Sequence, residues 1–154
     1  MSRAKGRPAA EDEGPLLGAL FRLAYHAVAQ EMSRWLVESG HGDLQPSHSA
    51  ALQALWAHPE GLRVTAMAES AHVTKQTMSA IVDHVERTGY VARVPDPDDK
   101  RAARVRLTAR GETFTKSARA FARRIEADLA ARLGARRVEE LRAALRLVHE
   151  SYKR

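Results

Sequence analysis

The segment that decides the fold is residues 65–107, which reads TAMAESAHVTKQTMSAIVDHVERTGYVARVPDPDDKRAARVRL. Apolar residues recur at helical spacing over residues 65–71 and again over residues 74–88. Thr65 and Thr74 stand at the two starts, where a threonine hydroxyl can cap free backbone N–H groups. The pattern predicts a brief helix, a turn and a longer helix.

A β-hairpin is predicted directly after the second helix, which Gly89 is expected to end. Residues 90–94 and 103–107 have the composition and alternation of strands. Residues 95–102 are polar and rich in proline, so we expect them to form a loop between the strands. The whole segment therefore predicts a helix-turn-helix followed by a hairpin with a charged tip.

The predicted helix over residues 74–88 has two different faces. One face is apolar and can be buried, and it carries Met78, Ile81, Val82 and Val85. The other face carries side chains that can hydrogen-bond base edges or phosphates, namely Lys75, Gln76, Ser79 and Asp83. The helix start also favours a phosphate, because its N–H groups and its dipole are positive there and the hydroxyls of Thr74 and Thr77 lie close by.

The hairpin brings a set of cations beside this helix, with no acid after Asp99: Lys100, Arg101, Arg104, Arg106 and Arg110. A run of charge usually marks a solvated surface. Beside a candidate reading helix, it predicts contact with the DNA backbone or with a narrow minor groove. Lys100 and Arg101 are expected to anchor the hairpin, and Arg63, Thr65 and Arg106 are weaker candidates for phosphate contact.

Helices are predicted on both sides of this segment. The first runs from about residue 15 until Gly40 and Gly42 stop it, and the second runs from Pro46 to His58-Pro59. After the hairpin, Thr108 is expected to cap a long helix that breaks at Leu133-Gly134. The last helix carries a narrow apolar seam suited to helix packing, formed by Val138, Leu141, Leu145, Val148 and Tyr152.

The amino-acid composition limits the classes of function that the chain can have. The 154-residue chain is 44% hydrophobic but only 5% aromatic, and its net charge is +6, which favours a polyanionic partner. It has no cysteine, which excludes disulfides, thiolate metal sites and thiol redox switches. Residues 1–14 lack an apolar signal region, and we expect them to be a disordered tail. No stretch is apolar enough to span a membrane, so a soluble, cytoplasmic protein without a membrane partner is predicted.

No catalytic or metal motif is present. The sequence lacks a phosphate-binding glycine loop and a Gly-x-Ser-x-Gly elbow, so we predict that the chain is not an enzyme and needs no cofactor. Its seven histidines form neither a His-x-x-x-His pair nor an HExxH motif. We therefore assign no metal site from the sequence, and metal binding or pH sensing by an individual histidine stays open.

Short matches from Leu62 to Gly111 resemble the MarR family of transcriptional regulators. They are VTKQTMS at residues 73–79, VDHVE at 82–86, GYV at 89–91, DPDDKR at 96–101 and VRLTARG at 105–111. LQPS at residues 44–47 is similar to the family's entry into its second helix, and the resemblance extends over about residues 16–152. The sequence departs from the family at His72, where glycine is usual, and at Gln45, where a serine or threonine cap is usual. Histidine tolerates a positive φ better than most residues, so we expect the turn to survive.

The resemblance implies a mainly α fold with a small β-hairpin wing, assembled as a homodimer. In that arrangement residues 15–45 and 111–154 form the dimerisation region, and residues 46–110 form the winged helix-turn-helix domain. Each domain would enter one half of a palindromic site in double-stranded DNA, with reading helices about 34–36 Å apart. The wing arginine, here Arg101, would reach the minor groove, and Asp99 would orient it.

A small aromatic or anionic effector is a further implication of the resemblance. A cleft for a phenolic acid would be lined by Arg22, His26, His48, Leu52 and Trp56. The alternative is that Leu52 and Trp56 are ordinary core residues and that the histidines are satisfied by local hydrogen bonds.

We therefore expect a sequence-specific regulator, with repression as the default because a protein on a promoter most often blocks polymerase. One alternative is a nonspecific or architectural DNA-binding dimer, which would show a small specificity ratio over random DNA. Another is a helical dimer that binds a membrane surface or a protein, but the polar reading face lacks the bulky apolar residues that a membrane helix needs.

Overall fold

The computed structural model describes residues 14–152, except for the side chain of Ala50. The predicted tail, residues 1–14, therefore lies almost wholly outside the described residues. The chain divides into two compact units, residues 1–46 and 47–154. The described residues form six α-helices and one two-stranded sheet, which confirms a mainly α fold with a hairpin.

The first unit contains α1, Leu17–Glu38. Its end is closed locally: the Ser39 hydroxyl donates to the Trp35 carbonyl at 2.6 Å, and the His41 N–H donates to the Leu36 carbonyl at 2.7 Å. Leu36 and Leu44 are buried. Large apolar side chains along the rest of the helix are exposed, and they are Leu17, Leu20, Phe21, Leu23, Tyr25 and Val28.

The second unit begins with three helices: α2 is Pro46–Trp56, α3 is Val64–Ser70 and α4 is Lys75–Arg87. α2 stops two residues before the predicted end at His58-Pro59. The predicted cap of α3 is wrong, because the helix starts at Val64 with Arg63 in the cap position and no side-chain capping bond, which leaves Thr65 inside the first turn.

The turn between α3 and α4 keeps its shape despite the histidine. His72 has a φ of 52°, and the Val73 N–H donates to the Ala68 carbonyl at 3.1 Å. α3 and α4 then bury one face each, with Met67 on α3 and Met78, Val82 and Val85 on α4. The predicted apolar face of α4 is thus confirmed at these three positions, and Ile81 is half-buried.

The hairpin is longer than the sequence predicts. β1 is Val91–Asp96 and β2 is Asp99–Leu107, so the predicted loop over residues 95–102 is too long. Pro97 and Asp98 form the turn, and residues 100–102 lie at a register shift without a partner in β1. Among residues 14–152, no strand pairs with the outer side of β1, and an edge strand tolerates Pro95 because no neighbour needs its missing N–H.

Leu62 extends the sheet on the other side of β2. Its N–H donates to the Val105 carbonyl at 3.1 Å, and the Val105 N–H donates back at 2.8 Å. Leu62 therefore pairs as a single extended residue, and α3 begins two residues later at Val64.

Thr108 closes the hairpin and starts α5, Ala109–Leu133. Its hydroxyl accepts from the Gly111 N–H at 3.2 Å and donates to the Gly89 carbonyl at 2.6 Å, which confirms the predicted cap. Gly111 lies so close to the Tyr90 carbonyl that an added Cβ would come within 2.0 Å of the oxygen. Tyr90 and Phe114 then meet edge to face in the core, with ring centroids 5.5 Å apart.

α6, Ala135–Ser151, follows a break at Gly134, which has a φ of 86°. The Arg142 guanidinium joins α6 to α5 by pairing with Glu126 at 3.3 Å. It also pairs with Glu139 of its own helix at 3.2 Å. No side chain of α6 is buried. Its predicted seam is therefore exposed in the single chain at Leu141, Leu145, Val148 and Tyr152, and Val138 is half-buried.

Candidate nucleic-acid interface

Two threonines, Thr74 and Thr77, make the hydrogen bonds at the start of α4. The Thr74 hydroxyl accepts from the Thr77 backbone N–H at 3.1 Å and lies 2.9 Å from the Thr77 hydroxyl. Thr74 is therefore the N-cap of α4, as predicted. The predicted contact of the two hydroxyls with a phosphate stays a prediction, and they would have to make it while keeping or exchanging this mutual bond.

The outward face of α4 carries side chains that are available to a ligand. Lys75, Gln76 and Thr77 are exposed, and Ser79 is half-buried. The side chains of Lys75, Gln76 and Ser79 make no hydrogen bond or ion pair within residues 14–152. One ammonium group, one amide and one hydroxyl thus lie within the first turns of a helix whose other face is fixed in the core.

Asp83, farther along the same face, is already engaged. Its carboxylate accepts from the Arg93 guanidinium at 2.6 Å. The Arg93 side chain also pairs with Glu86, which accepts from the Arg93 backbone N–H at 3.0 Å. The hydrogen bond to Asp83 is the largest cause that raises the pKa of Arg93. Asp83 therefore braces α4 against β1, and its predicted contact with DNA stays a prediction.

The base of the wing is organised around a buried carboxylate. Asp96 is 1% exposed and accepts from the Arg63 Nε at 2.6 Å and from the Asp98 backbone N–H at 2.9 Å. The Arg104 guanidinium forms a further ion pair with it at 3.2 Å. The Arg63 guanidinium and the Asp98 N–H hold the pKa of Asp96 well below its usual range. This carboxylate joins the residue before α3 to both strands of the hairpin.

Lys100 and Arg101 lie at the wing tip, and both are exposed. Neither side chain makes a hydrogen bond or ion pair within the described part of the chain. Asp99 accepts from the Arg101 backbone N–H at 3.0 Å and lies 4.0 Å from the Arg63 guanidinium. It therefore fixes the backbone that presents Arg101 and leaves the guanidinium available.

The other cations of the hairpin serve the fold. Arg106 donates to the Pro59 carbonyl at 2.8 Å, and Arg104 donates to the Asp98 carboxylate at 2.7 Å. Arg110 donates to the Thr88 carbonyl at 2.5 Å, and its guanidinium lies 4.2 Å from the centre of the Tyr90 ring. The cations of the hairpin therefore fall into two groups. Arg104, Arg106 and Arg110 bind other parts of the fold, and Lys100 and Arg101 lie at the tip. Thr65 is exposed on α3 and stays a predicted phosphate contact, as do Arg63 and Arg106.

The five residues predicted to line an effector cleft lie on two helices of different units. Arg22 and His26 are exposed on α1. On α2, Leu52 is fully buried, and the ring of His48 stacks on that of His84 at 4.5 Å. Burial and the nearby His84 lower the pKa of His48. Leu52 and His48 therefore have core packing of the kind the alternative interpretation expects, and a common cleft stays a prediction.

Trp56, the fifth of these residues, lies at a surface groove within the second unit. The Arg119 guanidinium lies 4.9 Å from its ring. The groove has a volume of about 220 Å³ and is lined by Leu55, Trp56, His58, Pro59, Arg106, Leu107, Glu112 and Lys116.

Sequence reasoning missed the buried role of Asp96 and the brace made by Arg93. The spacing of Asp83 and Glu86 on one helix face, followed by an arginine in the first strand, is the signal that would have indicated the brace. No local signal marks Asp96 as buried, because its strongest partner, Arg63, comes from a distant position in the chain.

Two further findings concern other site types. Among residues 14–152, no three His, Asp or Glu side chains cluster in a way that could hold a metal ion. No helix in the described part is long and apolar enough to cross a membrane.

A helix-turn-helix whose second helix presents polar side chains at its start, followed by a hairpin with a cationic tip, defines the winged helix-turn-helix class. Three comparisons place the chain within that class. The MarR family matches residues 42–102. The transcriptional regulator HosA of Escherichia coli O111:H- is 35% identical over 104 residues, which cover 65% of this chain and 75% of HosA.

Solved structures share the fold. A DNA complex of MepR from S. aureus has a TM-score of 0.79 at 23% identity, with 91% of this chain and 100% of that chain covered. A probable transcriptional regulator from Pseudomonas aeruginosa has a TM-score of 0.75 at 26% identity, with 89% and 97% covered. The chain belongs to the MarR family of DNA-binding transcriptional regulators, which are not enzymes.

Proposed function

We propose that two copies of this chain bind the two halves of a palindromic promoter site and repress transcription. In each copy α4 enters the major groove, and the wing reaches the backbone or the adjacent minor groove. The observation that carries the proposal is the pairing pattern of the cations: Lys75, Lys100 and Arg101 make no ion pair within residues 14–152, whereas Arg63, Arg93 and Arg104 are held by acids. A palindromic site and a cytoplasmic location follow from a two-fold dimer that acts on the chromosome.

The exposed apolar surface supports the dimer. α1 exposes Leu17, Leu20 and Leu23, and α6 exposes Leu141 and Leu145. Apolar patches of this kind on a soluble chain mark interaction surfaces. A second copy of the same helices would cover them with the same chemistry, as in an isologous interface.

The experiment measures the affinity for DNA upstream of the protein's own gene at several salt concentrations. Arg101→Ala is compared with Arg137→Ala, which removes the same charge from an exposed, unpaired position on α6. Arg101→Ala should weaken binding and lower the salt slope by about one unit per wing, while Arg137→Ala leaves both unchanged. Sedimentation of each variant checks that the dimer is intact.

Two results would overturn the proposal. Equal affinity of Arg101→Ala and the parent at every salt concentration would remove the wing from the interface. Affinity for promoter DNA no greater than for random DNA of the same length would indicate the architectural alternative.

We further propose that a small aromatic acid releases the dimer from DNA by shifting the population of binding-competent dimers. The groove beside Trp56 supports this, because it joins an indole and an apolar wall to the Lys116 ammonium. In a Trp35→Phe background, Trp56 is the remaining tryptophan, so its fluorescence reports binding. Quenching by a phenolic acid that is lost in Lys116→Ala supports this site, and quenching that persists in that variant contradicts it.

A further inference from the structure

Two histidine rings meet between the helix-turn-helix turn and the last helix. His72 lies in the turn between α3 and α4, and His149 lies near the end of α6. Their ring centroids are 5.2 Å apart, with 66° between the ring planes. Both residues are exposed, and neither ring makes a hydrogen bond or an ion pair within residues 14–152. The ring nitrogens are therefore open to water and to an added ligand.

The backbone at His72 gives a second reason to look for a role of its side chain. Among the described residues, His72 is the only non-glycine residue with a positive φ, at 52°. Glycine adopts this conformation without steric cost, and histidine bears the added cost of a side chain better than most residues. The side chain that occupies this position contacts α6 through the ring of His149.

We propose that His72 and His149 form a two-histidine site for a divalent transition-metal ion such as Zn²⁺. Neutral imidazole suits Zn²⁺, Cu²⁺ and Ni²⁺. A Zn–N distance of about 2.1 Å and a tetrahedral angle place two ring centroids about 5.3 Å apart. The observed separation of 5.2 Å is close to that value, so one ion can reach both side chains once each ring turns a nitrogen toward it.

Water completes the coordination, because the described residues supply no third metal-ligating side chain. Such a site is open and exchangeable rather than structural. A bound ion would connect the turn that precedes Thr74, the cap of α4, to the last helix of the chain.

Calorimetric titration of the full-length, untagged chain with ZnCl₂ near pH 7.5 tests the site. His72→Gly removes one ligand and also suits the positive φ, so it keeps the turn folded. His149→Gln removes the other ligand from an exposed helix surface. His58→Gln is the matched control, because His58 is an exposed histidine that pairs with Glu60 elsewhere on the surface.

The expected result is one Zn²⁺ per chain, with affinity reduced about tenfold or more in His72→Gly and in His149→Gln but not in His58→Gln. If the parent chain bound no Zn²⁺, the proposal would be overturned, and His72 and His149 would only be in contact through their rings. Equal binding by the parent and both ligand variants would overturn it as well.

Discussion

The base and the tip of the wing have nearly the same composition and opposite roles. At the base, buried Asp96 holds Arg63 and Arg104. A few residues away, Lys100 and Arg101 have no partner in the described part of the chain. The position of one buried acid therefore decides which cations stabilise the fold and which are available to DNA. A count of positive charge cannot make that distinction.

Removing the acid at the base should have the largest effect. Asp96→Ala leaves two guanidinium groups facing a site without a counter-charge, so the free energy of unfolding should fall by about 2–3 kcal/mol, since both arginines stay partly hydrated. Urea denaturation measures the change. Asp98→Ala is the control, because exposed Asp98 pairs with Arg104 alone and should cost below about 1 kcal/mol. An equal decrease in the free energy of unfolding in the two variants would show that the burial of Asp96 does not contribute to stability.

The same carboxylate predicts how stability depends on pH. The native pKa of Asp96 is depressed, so its contribution is complete above the unfolded pKa of about 3.9 and is lost as the pH falls through the native pKa. Asp96→Asn cannot titrate. The difference in unfolding free energy between the parent and Asp96→Asn should therefore shrink as the pH is lowered from about 5 to about 2. A constant difference over that range would contradict the assignment.

A smaller effect is expected at the start of α4. Thr74→Ala removes the acceptor of the Thr77 N–H and should cost about 1 kcal/mol of stability. Thr74→Ser keeps a capping hydroxyl and should restore most of it. Thermal unfolding of the three proteins gives the comparison, and an alanine variant as stable as the serine variant would argue against the cap.

The smallest effect on stability is expected at the tip. Lys100→Ala should change the unfolding free energy by less than about 0.5 kcal/mol and lower the salt slope of DNA binding by about one unit per wing. Lys116→Ala, which removes an exposed, unpaired ammonium from α5, should leave the slope unchanged. If both lysines changed the slope equally, the tip would have no special role.

Much of the fold could be predicted because its signals are local. Thr74 and Thr108 cap their helices through N–H groups three residues ahead, and Gly134 breaks α5 from α6 at its own position. The predicted cap at Thr65 was wrong because a threonine before a helical pattern does not by itself fix the first residue of a helix. The structure starts α3 one residue earlier.

The predictions that were wrong or incomplete depended on distant contacts. Residues 95–102 have the proline and charge of a loop, but Asp96 binds Arg63 from far upstream, and Pro95 and Asp96 take part in strand pairing. Arg110 is part of the cationic run in the sequence, yet in the structure it is bound to Thr88 and Tyr90. Partners of this kind cannot be inferred from spacing along the chain.

Thr108 connects three elements of the domain at one point. One residue joins the end of α4, through Gly89, to the end of β2 and to the first turn of α5. α5 has 25 residues and is about 37 Å long. Its first turn is held to the hairpin and to the end of α4 by Thr108. A displacement of about 1 Å at Leu133 corresponds to a rotation of about 1.5° at Thr108. For a straight helix, a small displacement at the far end of α5 is therefore equivalent to a small tilt of that helix relative to the hairpin and α4.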